Sequence, residues 1–417
     1  MSNKVIVVGG GAAGMIAAIT AASNGGHVTL LERQDRVGKK LLATGNGRCN
    51  YTNINLTIDN YHGSNPNFAY SALSSFGVNQ TMDFFERLGI TPAVEEGGKV
   101  FPLSFQSSSM LDVLRYELER LNISLITDAF VNYIDRKNDF LVGLKDGRRF
   151  KADKLILATG GMALPSSGSD GNGYNLAKSL GHRITDVFPG LVQLKLEGNI
   201  FKQIKGVKIL GKVSLFSNDK FLLEDYGDIL FTDYGISGPP VLQLSRTALY
   251  YLRKKQDIRL RVSIISAKSS EELEDYLNQR FSFMPDKSLS ESLIGLINKR
   301  LIIPLLKECK LDKDKNVSNL SKEEISLLAN ILTSWEFKII GSQSWGQAQV
   351  TAGGVSTDEI DSKTMESKLI EGLYIVGELL DIDGDCGGFN LQWAWSSGYI
   401  AGLNSTRKDT GGRNDRY

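Results

Sequence analysis

The chain has 417 residues, with 41% hydrophobic and 23% charged side chains, the balance of a globular protein long enough for two or three domains. Lysine and arginine number 48 against 47 aspartate and glutamate, a net charge of +1, so no whole-chain field draws it to nucleic acid or an anionic membrane. Three scattered cysteines, Cys49, Cys309 and Cys386, argue against a disulfide framework and for a reducing compartment. The first apolar run, Val5 to Val8, is too short to span a membrane and lacks a signal peptide's charged start, so the expected localisation is cytoplasmic.

In chain order, residues 4–32 read as strand, turn, helix and strand: "KVIVV", "GGGAAG", the small-residue run "MIAAITAASNGG" stopped at Gly25-Gly26, and "HVTLLE". Both strands are continuous apolar runs, as expected of parallel strands covered on both faces. A helical stretch near 68–88, a helix near 107–121 and a strand near 123–127 follow. Two alternating segments near 129–135 and 139–144 then lead through Asp146-Gly147 into the buried strand "KLILATGG". After Pro189 the composition shifts. Residues 191–268 carry short β-like runs that fit a small barrel, 269–340 switch to helical periodicity, and 341–417 return to strand and turn before a final helix. The expected order is an α/β domain (1–190), an insertion, and a return to that domain.

Gly9-x-Gly11-x-x-Gly14 lies between a strand and a helix. The first glycine permits the tight turn, the second lets backbone approach a pyrophosphate, and the third lets helix and strand pack closely. Glu32, eighteen residues past Gly14 at the end of the second strand, stands where an acid binds ribose hydroxyls. The bland alternative is a tight turn with a surface glutamate, but strand, triplet, helix, strand and acid agree on a dinucleotide. Two further segments favour FAD over NAD. "LILATGG" ends in small residues that admit a ligand, and "GLYIVGELLDIDGDCGGFN" puts a glycine-rich turn at a helix start, whose dipole stabilises negative charge.

GGGAAG at 9–14, "ATGNGRCNYTN" at 43–53, "ATGG" at 158–161, "TAGGV" at 351–355 and the tail "GDCGGFNLQWAWSSG" together resemble the BaiN/aminoacetone-oxidase-like (YhiN-like) flavoproteins. The resemblance spans both α/β segments. It implies a Rossmann-type FAD-binding domain of the two-domain flavoprotein type, interrupted by an inserted β-barrel plus helical domain. It also implies hydride chemistry at the flavin. Family activities differ: reduction of a conjugated C=C in a bile-acid-type enone or in a uridine of ribosomal RNA, and oxidation of a small amine such as aminoacetone. The favoured expectation is C=C reduction linked to NAD(P)H, which must visit the substrate face as a transient reductant because no second glycine triplet is present. The rivals are an amine oxidase and a flavin-bound RNA- or protein-binding module.

The resemblance assigns FAD contacts to Gly9, Gly11, Ala12, Ala13 and Gly14 on the pyrophosphate and Glu32 on the ribose. Arg33 goes beside the adenosine, Lys40 near the phosphates, and Val131, Thr159 and Gly160 near the adenine side. Gly377, Glu378, Gly388, Phe389 and Asn390 close the far end, with Asp381 or Asp385 able to share the contact of Glu378. In the loop at 43–53, Gly45, Asn46, Gly47 and Arg48 are expected to wrap the flavin, Arg48 as a fixed cation. Cys49 is expected to face substrate as a proton donor, with Tyr51 and His62 next in line; the alternative is that Cys49 is a small buried residue.

No metal-ligand spacing, G-x-S-x-G or Walker motif appears, so metal and acyl-transfer chemistry are not expected. Residues 193–338 hold 23 basic and 19 acidic residues, with basic stripes at Lys195–Lys220 and Arg246–Arg261. A solvated surface explains that excess, and it is also the one candidate RNA-facing surface.

Overall fold

The computed structural model describes residues 3–407, which form two compact units. One combines the chain up to Phe188 with the chain from Gln349 onward; the other is Pro189–Ala348. Among the described residues no helix is long and apolar enough to cross a membrane.

The first unit is built on a five-stranded parallel sheet in the order Leu373–Ile375, Lys154–Leu157, β1 (Lys4–Val8), β2 (His27–Leu31), Ser124–Ile126. Val5 through Val8, Leu155 through Leu157 and Leu373 through Ile375 are buried, so the central strands are apolar on both faces. The strand from the C-terminal segment, Leu373–Ile375, pairs directly with Lys154–Leu157, which makes one sheet from two distant stretches of chain.

Helix α1 (Ala12–Ser23) buries nearly every residue because the closing helix Phe389–Ser405 lies against it. A Cβ on Gly398 would sit 2.4 Å from the Ala13 carbonyl oxygen, and one on Gly402 would sit 2.5 Å from that of Ala17. These two glycines, one turn apart, let the backbones touch. The expected helix near 68–88 is in fact two, Tyr70–Ser75 and Val78–Arg87, parted by Gly77, whose extended backbone ends the first helix.

The second unit holds a closed six-stranded barrel (Leu194–Leu196, Lys208–Ser217, Lys220–Phe231, Gly235–Ser237, Ile258–Ser263, Trp335–Ser342). Its interior is filled by Val213, Leu215, Ile229, Phe231, Leu260, Val262, Trp335 and Ile339, alternating with outward polar residues. The long hairpin turns on Asn218 and Asp219, both left-handed, the turn geometry that matches strand twist. Helices Ser270–Phe283, Lys299–Glu308 and Lys322–Thr333 follow, two of them opened by reciprocal serine–glutamate caps, Ser269/Glu272 and Ser321/Glu324. The α/β unit interrupted by a barrel and helices is the architecture expected from the sequence.

Candidate active site

The turn Gly9–Gly14 joins β1 to α1. A Cβ on Gly9, whose φ is +104°, would lie 2.5 Å from the Ala158 carbonyl oxygen; one on Gly14 would lie 1.8 Å from that of Gly9. The protein's own backbone therefore demands both glycines. Gly11 is different. Its φ is −79°, and a Cβ there would meet nothing within 4 Å. The fold does not need a glycine at this position, and the open space before it is what backbone approach to a ligand requires.

Helix α1 starts at Gly11 with no side-chain cap and no acid in its first turn, so its first amides keep their hydrogens. The closing helix repeats this arrangement at Gly388, whose φ is +102°. Because Gly398 meets Ala13 and Gly402 meets Ala17, the two helices run parallel and point their positive ends the same way. At 1.5 Å per residue their starts are staggered by roughly 12 Å along the common axis. A long anionic ligand can place phosphates at one start and a ring at the other. The buried polar atoms without a hydrogen-bond partner among the described residues include Thr159 Oγ1 and Asn50 Oδ1, the latter beside Gly388. An adenine dinucleotide with a flavin ring suits this donor set.

Glu32 accepts hydrogen bonds from the Gly10 N–H (2.7 Å) and the Gln34 N–H (2.8 Å). Burial raises its pKa against the pull of those amides, and its carboxylate clamps the glycine turn. Arg33 lies 4.7 Å over the Phe130 ring and 2.5 Å from Asp170. Lys40 and Glu378 pair with each other at 2.6 Å, while the other Glu378 oxygen accepts the Thr351 N–H. The Val131 carbonyl accepts from Asn172 Nδ2 at 2.9 Å. Gly160 and Gly377 are left-handed, and the Gly377 N–H and carbonyl go to Ser397 and Trp393. Phe389 is buried, and Asn390 turns its amide back onto Gly384 and Asp385.

In the loop at 43–53, Gly45, Asn46, Gly47 and Cys49 are all left-handed. Asn46 and Gly47 are exposed. The segment that follows docks on the closing helix: Trp395 donates to the Tyr51 carbonyl, Thr52 to Gln392, and Asn53 to the Gly387 carbonyl. Arg48, expected as a fixed cation, is held by Glu95 at 2.9 Å and stacks 4.3 Å over the Phe101 ring. Cys49 is 0% exposed and belongs to the core, where burial pushes its thiol up to about 12. That burial favours the alternative reading of Cys49 as a small buried residue over an exposed proton donor. Tyr51 is equally buried.

Sequence reading passed over a pairing near the same helix start. The short strand Tyr61–His62 pairs with Asp383–Gly384, placing His62 Nε2 2.7 Å from Asp385 Oδ1. The partners lie 323 residues apart, so no local pattern announces them.

The HI0933-like protein Rossmann domain family matches residues 3–404. The chain belongs to that family. It is 40% identical over 402 residues to the 3-dehydro-bile acid delta(4,6)-reductase of Clostridium scindens, covering 96% of this chain and 98% of the relative. It is 31% identical over 412 residues to the ribosomal RNA dihydrouridine synthase of Haemophilus influenzae, covering 97% and 99%. A 3-ketosteroid-delta4-(5alpha)-dehydrogenase structure from Rhodococcus jostii RHA1 aligns with a TM-score of 0.46 at 13% identity, covering 97% of both chains. As a member of the HI0933-like family, the protein is an FAD-dependent oxidoreductase.

Proposed function

We propose that the protein reduces a C=C bond conjugated to a carbonyl in a small planar substrate of the steroid-enone class, with NAD(P)H as the source of electrons. Bound FAD supplies the two electrons as a hydride. The chain's own residues bind and orient. The amides of Gly11, Ala12, Ala13 and Gly14 receive the pyrophosphate, held in place by the Glu32 clamp on Gly10. The Lys40–Glu378 pair fastens the two chain segments beside it. Gly45, Asn46 and Gly47 would cover the ring, and the start of the closing helix at Gly388, Phe389 and Asn390 would offer its positive dipole end to negative charge there.

The observation that carries the reading is the pair of parallel, uncapped helix starts with Gly11 facing open space. A small substrate is favoured over RNA by the inserted unit. There Lys205, Lys208, Lys212, Arg259 and Arg261 all pair with Asp or Glu, which cancels much of the basic excess a polyanion needs. The whole-length similarity to a ribosomal RNA dihydrouridine synthase supports a second reading, in which the conjugated C=C belongs to a uracil ring. Anaerobic mixing tests both: NAD(P)H bleaches the flavin, and a 3-keto-4-ene steroid acid or uridine-containing RNA then restores its colour. Bleaching by an amine alone, with peroxide formed in air, would establish an oxidase instead.

A further inference from the structure

Reduction of a conjugated C=C needs a proton as well as a hydride, and the groups first in line are closed off. Cys49 and Tyr51 are both 0% exposed, and the Tyr61 hydroxyl is buried and donates to the Phe389 carbonyl. His62 differs. Its side chain is 34% exposed, Nε2 bonds Asp385, and Nδ1 makes no hydrogen bond among the described residues.

The aspartate is itself fixed. Asn60 Nδ2 donates to Asp385 Oδ2 at 3.1 Å, the Asp385 N–H donates to the Asn60 carbonyl, and Asn390 donates to the Asp385 carbonyl. Asn390 is the second residue of the closing helix, so the His62–Asp385 pair is anchored to the turn that opens that helix. The other ionisable groups on the packed elements are Asp59 and Tyr61 on the histidine's own stretch, with Asp381 and Asp383 opposite. Asp381 is taken by Ser64, and Asp383 stands across from His62 in register.

We propose that His62 is the catalytic proton donor and that Asp385 is its positioning residue. This rests on the C=C-reduction reading above. An aspartate that accepts from Nε2–H leaves Nδ1 as the exchanging nitrogen. Hydride forms a C–H bond at the β-carbon, and the π pair moves toward the α-carbon and carbonyl. The imidazolium Nδ1–H bond breaks as the α-carbon gains its proton. The ring, left neutral, recovers a proton from water. The substrate gains one hydride and one proton in all.

The test uses full-length, FAD-loaded protein with H62Q and D385A. Dithionite-reduced enzyme is mixed anaerobically with a 3-keto-4-ene steroid acid or uridine RNA, and the rate of flavin reoxidation is followed against pH. Wild type slows as pH rises. H62Q keeps its flavin, is reduced normally, reoxidises about 10²-fold more slowly and lacks that pH limb. Nitrogen-15 NMR of the three histidine rings gives a readout apart from turnover: His62 is held as the Nε2–H tautomer in wild type, and D385A mixes the tautomers. A wild type that reduces neither probe overturns the functional reading and this assignment together. A wild type that reduces one, matched by H62Q in rate and pH profile, overturns the assignment of His62 alone. Unchanged His62 ring signals in D385A overturn the role of Asp385.

Discussion

Gly11 and Gly14 stand three positions apart and make opposite demands. Gly14→Ala forces a methyl to 1.8 Å from a carbonyl oxygen, so the turn must open at a cost of about 1–3 kcal/mol, read as a lower unfolding midpoint in urea. The Cβ added by Gly11→Ala meets no atom of the protein within 4 Å, so the flavin-free variant should keep the midpoint of flavin-free wild type while flavin binding weakens. Equal destabilisation by both changes would show that Gly11 serves the fold. The triplet and the division of roles within it were legible in the sequence because its glycines lie close together; the atoms that enforce those roles, among them the carbonyl of Ala158 far along the chain, were not. Cys49 misled for a related reason: a cysteine among asparagines and glycines reads as exposed until the fold closes over it. Cys49→Ala should cost about 1 kcal/mol of stability and leave turnover unchanged. His182 offers a pH test. Its buried ring bonds Glu359 and Ser367, and burial lowers its pKa, so the unfolded chain takes up this proton first. Stability from this site is complete above about pH 6.5 and falls below it. Thermal midpoints of wild type should drop on acidification through that point more than those of His182→Gln.

At the level of elements, the parallel contact between α1 and the closing helix sets the stagger of the two helix starts. The small-residue character of both helices was visible in the sequence. That Gly398 and Gly402 are the seats of contact was not, because each is defined by what it meets on the other helix. Gly402→Leu should wedge the helices apart, costing about 1–3 kcal/mol and weakening flavin retention although the residue lies near the far end of the closing helix from its start. Normal flavin affinity in that variant would show that the stagger does not govern binding. The helices of the inserted unit were read from periodicity. Their starts were also written in the sequence, as serine followed three residues later by glutamate, a pattern with a direct physical meaning at a helix N-terminus.

Across the whole chain, the features that sequence reading missed join distant segments. Lys40 meets Glu378, His62 meets Asp385 and Thr52 meets Gln392, each pair separated by more than 300 positions. The architecture was recoverable because strand, turn and helix signals are local; the chemistry was only partly so, because it is assembled where the C-terminal segment returns to the sheet. The ion pairs of the inserted barrel predict weak binding to unstructured RNA at physiological salt; tight binding that collapses with added salt would instead mark a phosphate-binding face. The proposed reaction passes hydride from a nicotinamide to a conjugated C=C. Its most direct test is anaerobic stopped-flow absorbance of the purified protein at the flavin band. NAD(P)H should bleach the band, and a 3-keto-4-ene steroid acid should restore it with the product carrying two added hydrogens. A flavin that NAD(P)H leaves oxidised, or that neither the enone nor uridine RNA reoxidises, would contradict the account.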